Sequence, residues 1–111
     1  MSVTPKTITA AQLTATAASY YTAPANTKSI IKKLTFTNND TVARTVTVYL
    51  VPLAGTAGVT NILISAQSIG AGECWECYPA AGQVLQTGSF IQALADSAAK
   101  VTIQGALAEV V

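Results

Sequence analysis

The densest concentration of reactive side chains is the run Cys74-Trp75-Glu76-Cys77. A redox-active Cys-x-x-Cys pair normally opens a helix, where the dipole lowers the thiol pKa. Here Gly72-Glu73 precede the pair and Tyr78-Pro79-Ala80 follow it, the flanks of a strand entering a loop. On an extended strand, residues three apart point to opposite faces, which works against a local disulfide. Zinc would need two further ligands, and the chain has no histidine and no third cysteine to supply them. The pair reads first as ordinary strand thiols, with a disulfide or a metal shared between chains as alternatives. A strand here would put Cys74 on one face with Glu76 and Tyr78, and Trp75 on the other with Glu73 and Cys77.

The missing histidine carries further. It removes the commonest general base and the serine and cysteine triads that depend on it. The carboxylates are Asp40, Glu73, Glu76, Asp96 and Glu109. Glycoside hydrolysis needs two carboxylates facing one sugar, and Glu73 and Glu76 would point apart on a strand. Gly55-Thr56-Ala57-Gly58 lacks the Lys-Ser/Thr of a phosphate-binding loop and reads as a turn. The sequence offers no catalytic residue, no cofactor site and no metal site. The expectation is a protein that is not an enzyme.

Composition points to surfaces instead. Half the residues are hydrophobic and 10% are charged, against about 25% in an ordinary soluble domain. Charge keeps a free monomer from adhering to its neighbours, so the deficit favours an exterior that partners cover. Net charge is +1, and the basic residues Lys6, Lys28, Lys32, Lys33, Arg44 and Lys100 are dispersed. No nucleic-acid footprint results. No run of about 18 apolar residues exists to cross a bilayer. The opening Met1-Ser2-Val3-Thr4-Pro5-Lys6 lacks the layout of a signal peptide. The sequence-level expectation is a protein made in a cytoplasm and used there, or carried out inside a particle.

The elements that must position these residues are strands. Arg44 to Val51 sets Val46, Val48 and Leu50 against Thr45, Thr47, Tyr49 and Val51, a period of two. Ser29 to Thr37 precedes it, with Ile30, Leu34 and Phe36 on one face, Lys32 interrupting that face, and Ile31, Lys33, Thr35 and Thr37 on the other. Between them Asn38-Asn39-Asp40-Thr41 has hairpin-turn chemistry. Further strands are expected at 61–68, 73–78, 83–86, 90–95 and 101–110. In the last, Val101, Ile103, Gly105 and Leu107 share a face. Over 10–18, alanine favours helix, but the threonines and Tyr20-Tyr21 pull the first 28 residues towards strand. With 111 residues the chain makes one domain. Residues 1–28 form an N-terminal strand or arm lying on the domain or on a neighbour, and residues 29–111 form the sandwich. The fold class is all-β: an antiparallel β-sandwich of seven to nine strands, jelly-roll-like as one form, with an open barrel second.

Aromatic residues are the candidate contact points, because Tyr and Trp are enriched at interface hot spots. Tyr20, Tyr21, Trp75 and Tyr78 are the candidates, Trp75 first among them; Phe36 and Phe90 read as core.

Thr22-Ala-Pro-Ala-Asn-Thr-Lys-Ser-Ile-Ile-Lys-Lys-Leu-Thr-Phe-Thr-Asn38, Arg44-Thr-Val-Thr-Val-Tyr-Leu-Val-Pro52 and Gly82-Gln-Val-Leu-Gln-Thr-Gly-Ser-Phe-Ile-Gln-Ala-Leu-Ala95 form a succession. With the final strand, it resembles small structural proteins encoded among the head and tail genes of tailed bacteriophages. The likeness covers most of the chain after about residue 20 and is one of pattern, without a catalytic signature. Cys74 and Cys77 stand where ordinary strand residues are expected. The resemblance implies a virion part assembled in the host cytoplasm: a capsid decoration or cement protein, or a neck or tail component. Its partners would be copies of itself and other phage structural proteins, with neither nucleic acid nor membrane among them. A different class of function is a sandwich module that binds a carbohydrate or host receptor through loops 53–60 or 79–82.

Overall fold

The structure is a computed structural model and describes residues 2–111. It contains nine strands: β1 (Val3–Gln12), β2 (Ala18–Thr22), β3 (Lys28–Asn38), β4 (Arg44–Val51), β5 (Ile62–Ile69), β6 (Cys74–Glu76), β7 (Val84–Leu85), β8 (Phe90–Ala95) and β9 (Val101–Val110). A single 3₁₀ turn at Tyr78–Ala80 lies between β6 and β7. No α-helix occurs among the described residues.

The pairing explains the topology. β4 pairs with β5, β3 with β6 and β7, β2 with β8, and β1 with β9, every pair antiparallel. The chain is thus one long ribbon folded back at the β4–β5 connection. Rolling that ribbon lays β9 against β3 and β8 against β4. Two sheets result: β1-β9-β3-β6, with β7 also on β3, and β2-β8-β4-β5. This is the strand order of a jelly roll, a two-sheet sandwich built from nested antiparallel pairs. The thinnest dimension is 20 Å, which suits two layers about 10 Å apart with side chains on each side.

Alternation in the sequence places the core. On β8, Ile91, Ala93 and Ala95 are buried while Phe90, Gln92 and Leu94 are half-buried and face outward. On β9, Val101, Ile103 and Leu107 are buried as expected. Leu34, Phe36, Val46 and Val48 join them from β3 and β4. Burying apolar side chains of this size contributes about 1.5–3 kcal/mol each.

Three sequence expectations are corrected. Phe90, expected in the core, faces outward from β8 because Ile91 beside it takes the inward position. Asn38–Thr41 does not close a hairpin, because β3 and β4 belong to different sheets. The segment is a corner, and the Asn38 side chain holds it. Its Nδ2 donates to the carbonyls of Val42 and Ile69, both at 2.9 Å, and of Gly70 at 3.2 Å, while its Oδ1 accepts from the Asp40 N–H at 2.9 Å. Turn chemistry was legible there; the direction of the chain afterwards was not. On β3, Ile31 is buried and Ile30 half-buried, the reverse of the expected faces. The pairing with β9 shifts register between Ile31 and Lys33, so Lys32 is the extra residue of a bulge. A bulge flips the alternation on one side of itself. Ser29 and Ile31 point inward before it, and Leu34, Phe36 and Asn38 after it.

Candidate assembly surfaces

Residues 3–12 and 18–22 are strands of the sandwich, β1 on β9 and β2 on β8. β1 is an edge strand and most of its side chains are exposed. Ser2 and Val111 exchange backbone hydrogen bonds, so every second residue from Val3 turns its N–H away from β9. Pro5 sits at one such position. Its missing N–H therefore leaves a gap in the free edge, a common protection against strand addition.

The four aromatic candidates are dispersed. Tyr20 is the extra residue of a bulge on β2, with Tyr21 next to it, and both pack against the core. The Tyr21 hydroxyl lies 2.7 Å from Ser29 Oγ and donates to Glu109 Oε2 at 2.5 Å. Burial, with the hydrogen bond to the Glu109 carboxylate, pushes the Tyr21 pKa up to about 12. Trp75 is half-buried and stacks on Phe36, with centroids 6.2 Å apart and planes at 22°. Its cross-strand partner is Phe36, so Trp75 faces inward while Cys74 and Glu76 face outward. Tyr78, on the 3₁₀ turn, is 71% exposed.

The two thiols differ. Cys74 is exposed and Cys77 is buried, and both are free. Burial pushes the Cys77 thiol pKa up, which suppresses the reactive thiolate. Among the described residues no group of three or more Cys, Asp and Glu side chains comes together to hold a metal. Charged side chains pair locally: Lys33 with Glu76 at 3.3 Å, and Arg44 with Asp40 at 2.7 Å and Asp96 at 3.8 Å. A backbone hydrogen bond from Thr41, then Arg44, hold the Asp40 carboxyl below the usual carboxylate range.

Two surface depressions lie along β9. One, of about 520 Å³, is lined by Asn26, Lys28, Thr87, Val110 and Val111. The other, of about 350 Å³, is lined by Lys33, Thr35, Gln104, Gly105 and Ala106. Both are open and shallow, and neither lining contains a carboxylate side chain or thiol. The second lies over the small residues Gly105 and Ala106 of β9, and Gly105 is required to be small on its other, inward side. At Gly105 a Cβ would stand 2.6 Å from the Lys33 carbonyl oxygen and 2.9 Å from Ile8 Cδ1.

Charge is distributed unequally between the sheets, a feature that reading the sequence linearly misses. The strands β2, β4, β5 and β8 carry a single charged residue, Arg44, at one end. The strands of the other sheet hold Lys6, Lys28, Lys32, Lys33, Glu76 and Glu109. The signal lay in the outward positions of the alternating strands, which become a shared face only once the pairing is known.

No protein-family model matches the chain, and no curated protein matches it. Solved structures do. The chain is similar to one of the Bacillus endospore appendages, which are disulfide-linked pili, with 13% identity over 96% of this chain and 86% of that one, at a TM-score of 0.55. It is similar to a chain of infectious bursal disease virus strain Gx, with 16% identity over 97% of this chain and 32% of that one, at a TM-score of 0.57. A chain of the T13 particle of that virus gives 15% identity over 96% and 30%, at a TM-score of 0.51. The chain thus spans about a third of the virus chains and most of the appendage chain. What these likenesses show is the fold: the jelly-roll sandwich of this chain also occurs in a virus particle and in a pilus.

Proposed function

We propose that the chain is a non-enzymatic building block of a tailed-phage virion, acting as a capsid decoration or cement protein that binds copies of itself and capsid subunits. The single observation that carries the reading is the nested jelly-roll topology running through the whole chain, shared over 96–97% of its length with chains from a virus particle and a pilus. Those chains assemble into a particle and an appendage. The charge deficit supports the same reading, because a surface with few charges has little to desolvate on contact. A neck or tail component is the neighbouring form of the proposal, with the same physics and a different copy number. In either form the protein is assembled in the host cytoplasm and ends in the virion.

The carbohydrate or receptor module needs exposed aromatic residues gathered at one loop end. Tyr78 is exposed, while Trp75, three residues earlier, is turned onto Phe36. That arrangement supports contact through faces over contact through a loop tip.

Quantitative mass spectrometry of purified particles tests the proposal. A copy number matching the symmetry of the capsid shell supports decoration, and one matching the neck or tail axis supports the neighbouring form. Absence from the particle, together with failure of the purified protein to bind one, overturns it.

A further inference from the structure

On the outward face of the β2-β8-β4-β5 sheet, six residues, Phe90, Gln92 and Leu94 from β8, Thr47 and Tyr49 from β4, and Ile62 from β5, are bordered by the small polar Ser19 and Thr22 of β2, Thr45 of β4 and Ser68 of β5. The register sets Gln92 beside Tyr49, Tyr49 beside Ile62 and Thr47 beside Leu94. None of the six is charged, and the five β4 and β8 residues among them are half-buried by their own neighbours. Arg44, the one charge on these strands, is neutralised at the margin by Asp40 and Asp96. Aromatic enrichment with depletion of charge is the composition of an interface centre.

We infer that this face is the contact between two copies of the chain, packed sheet on sheet about a two-fold axis. The inference rests on the assembly reading and names the surface it uses. Charge selects the occupant. A two-fold contact opposes a face to itself, so any excess of one sign on that face repels its copy. The other sheet presents Lys28 and Lys33 outward and Lys32 in its bulge, against Glu76 alone. It cannot meet itself without opposing lysines. The uncharged face can.

Area agrees with a pair of copies. Four strands at about 4.8 Å spacing and about seven residues at 3.3 Å give roughly 450 Å² of projected face per copy. Two copies remove about 900 Å² before side-chain relief is counted, close to the about 1,000 Å² that a specific contact requires.

Analytical ultracentrifugation of the full chain, at up to about 100 μM, tests the inference on a range where contacts of this size are populated. The wild type is expected to form dimers. Gln92→Lys and Gln92→Glu, each placing like charges across the axis, are expected to weaken dimerisation at least about tenfold. Mixing the two variants in equal amounts is expected to restore it, which shows that both still fold. Gln104→Lys, on the opposite sheet, is expected to leave the dimer unchanged. A monomeric wild type, a Gln92→Lys dimer as tight as wild type, or a dimer broken by Gln104→Lys overturns the inference. None of these results removes the protein from the particle, so the particle assay judges the assembly reading separately.

Discussion

The Tyr21 hydroxyl and the Glu109 carboxylate, 88 residues apart, meet at 2.5 Å across the two sheets of the sandwich. Tyr21 stands on β2 and Glu109 on β9, beside its cross-strand partner Ser29 on β3. One phenol therefore ties three strands and both layers. Tyr21→Phe keeps the ring and removes the tie, leaving the buried Ser29 hydroxyl and Glu109 to find other partners. The expected loss is about 1.5–3 kcal/mol, the range for a hydrogen bond to a charged group, read as a lower midpoint in urea with an unchanged slope.

The same phenol gives an alkaline signature. Its pKa is about 12 in the folded chain against an ordinary 10.0. A group whose folded pKa is raised contributes stability that is whole below the unfolded value and lost as pH climbs through the folded one. Stability should therefore fall between pH 10.0 and about 12 in the wild type, beyond any decline shared with Tyr21→Phe. Urea midpoints of both proteins at several alkaline pH values separate the two. A constant difference across that window would contradict the cross-sheet tie.

Asn38 is the second fixed point. Removing its amide strands the carbonyls of Val42, Ile69 and Gly70 at the β3–β4 corner. Because Asn38 is fully buried, Asn38→Ala is expected to cost about 2–4 kcal/mol, a cavity added to unsatisfied acceptors. Asn38→Asp should cost at least as much at neutral pH, since it turns a carboxylate towards three carbonyl oxygens. Thermal melts followed by circular dichroism read both variants. A loss of only a few tenths of a kcal/mol for either would show the corner to be held by its backbone alone.

These residues also show what the sequence could and could not disclose. The final strand was legible over its full length, because Val101, Ile103, Gly105 and Leu107 alternate without interruption. The Asn38 turn was legible as a turn only, since Asx chemistry fixes a local bend and says nothing of which sheet receives the next strand. Lys32 broke the expected face of β3, and that interruption was itself the sign of a bulge; without β9 opposite, it could not be told from a charged exception. The outward face of the second sheet was invisible for the same reason. Tyr49 and Gln92 lie 43 positions apart and become neighbours only through pairing.

Gly105 sits between two irregularities, the β3 bulge at Lys32 and the register shift of β1 between Ile8 and Ala11. Its hydrogen allows the Lys33 carbonyl to approach where a Cβ would stand only 2.6 Å away. Backbone cannot retreat as the tip of a side chain can, so Gly105→Ala forces β3 and β9 apart. The expected cost is about 1–3 kcal/mol, the usual range for overpacking. Hydrogen exchange should show faster opening along the β3–β9 pairing around Leu34, and slow exchange at Ile91 on the other sheet should persist.

The two thiols give the most direct check on how the Cys74–Cys77 run is arranged. Cys74 is exposed on the outward side of β6, whereas Cys77 is wholly buried at the start of the 3₁₀ turn, its N–H bonded to the Leu34 carbonyl at 2.7 Å. Burial raises the Cys77 pKa, so two effects, a smaller thiolate fraction and closed access, slow its modification together. A disulfide-forming reagent added to the native protein should titrate one thiol quickly and the second only as the chain opens. In denaturant both should react at once. Cys74→Ser should abolish the fast phase and leave the slow one, and Cys77→Ser the reverse. Two fast thiols in the native wild type would place the turn, and Cys77 with it, outside the packed sandwich. That result would also remove the stacking of Trp75 on Phe36 that the same short strand positions.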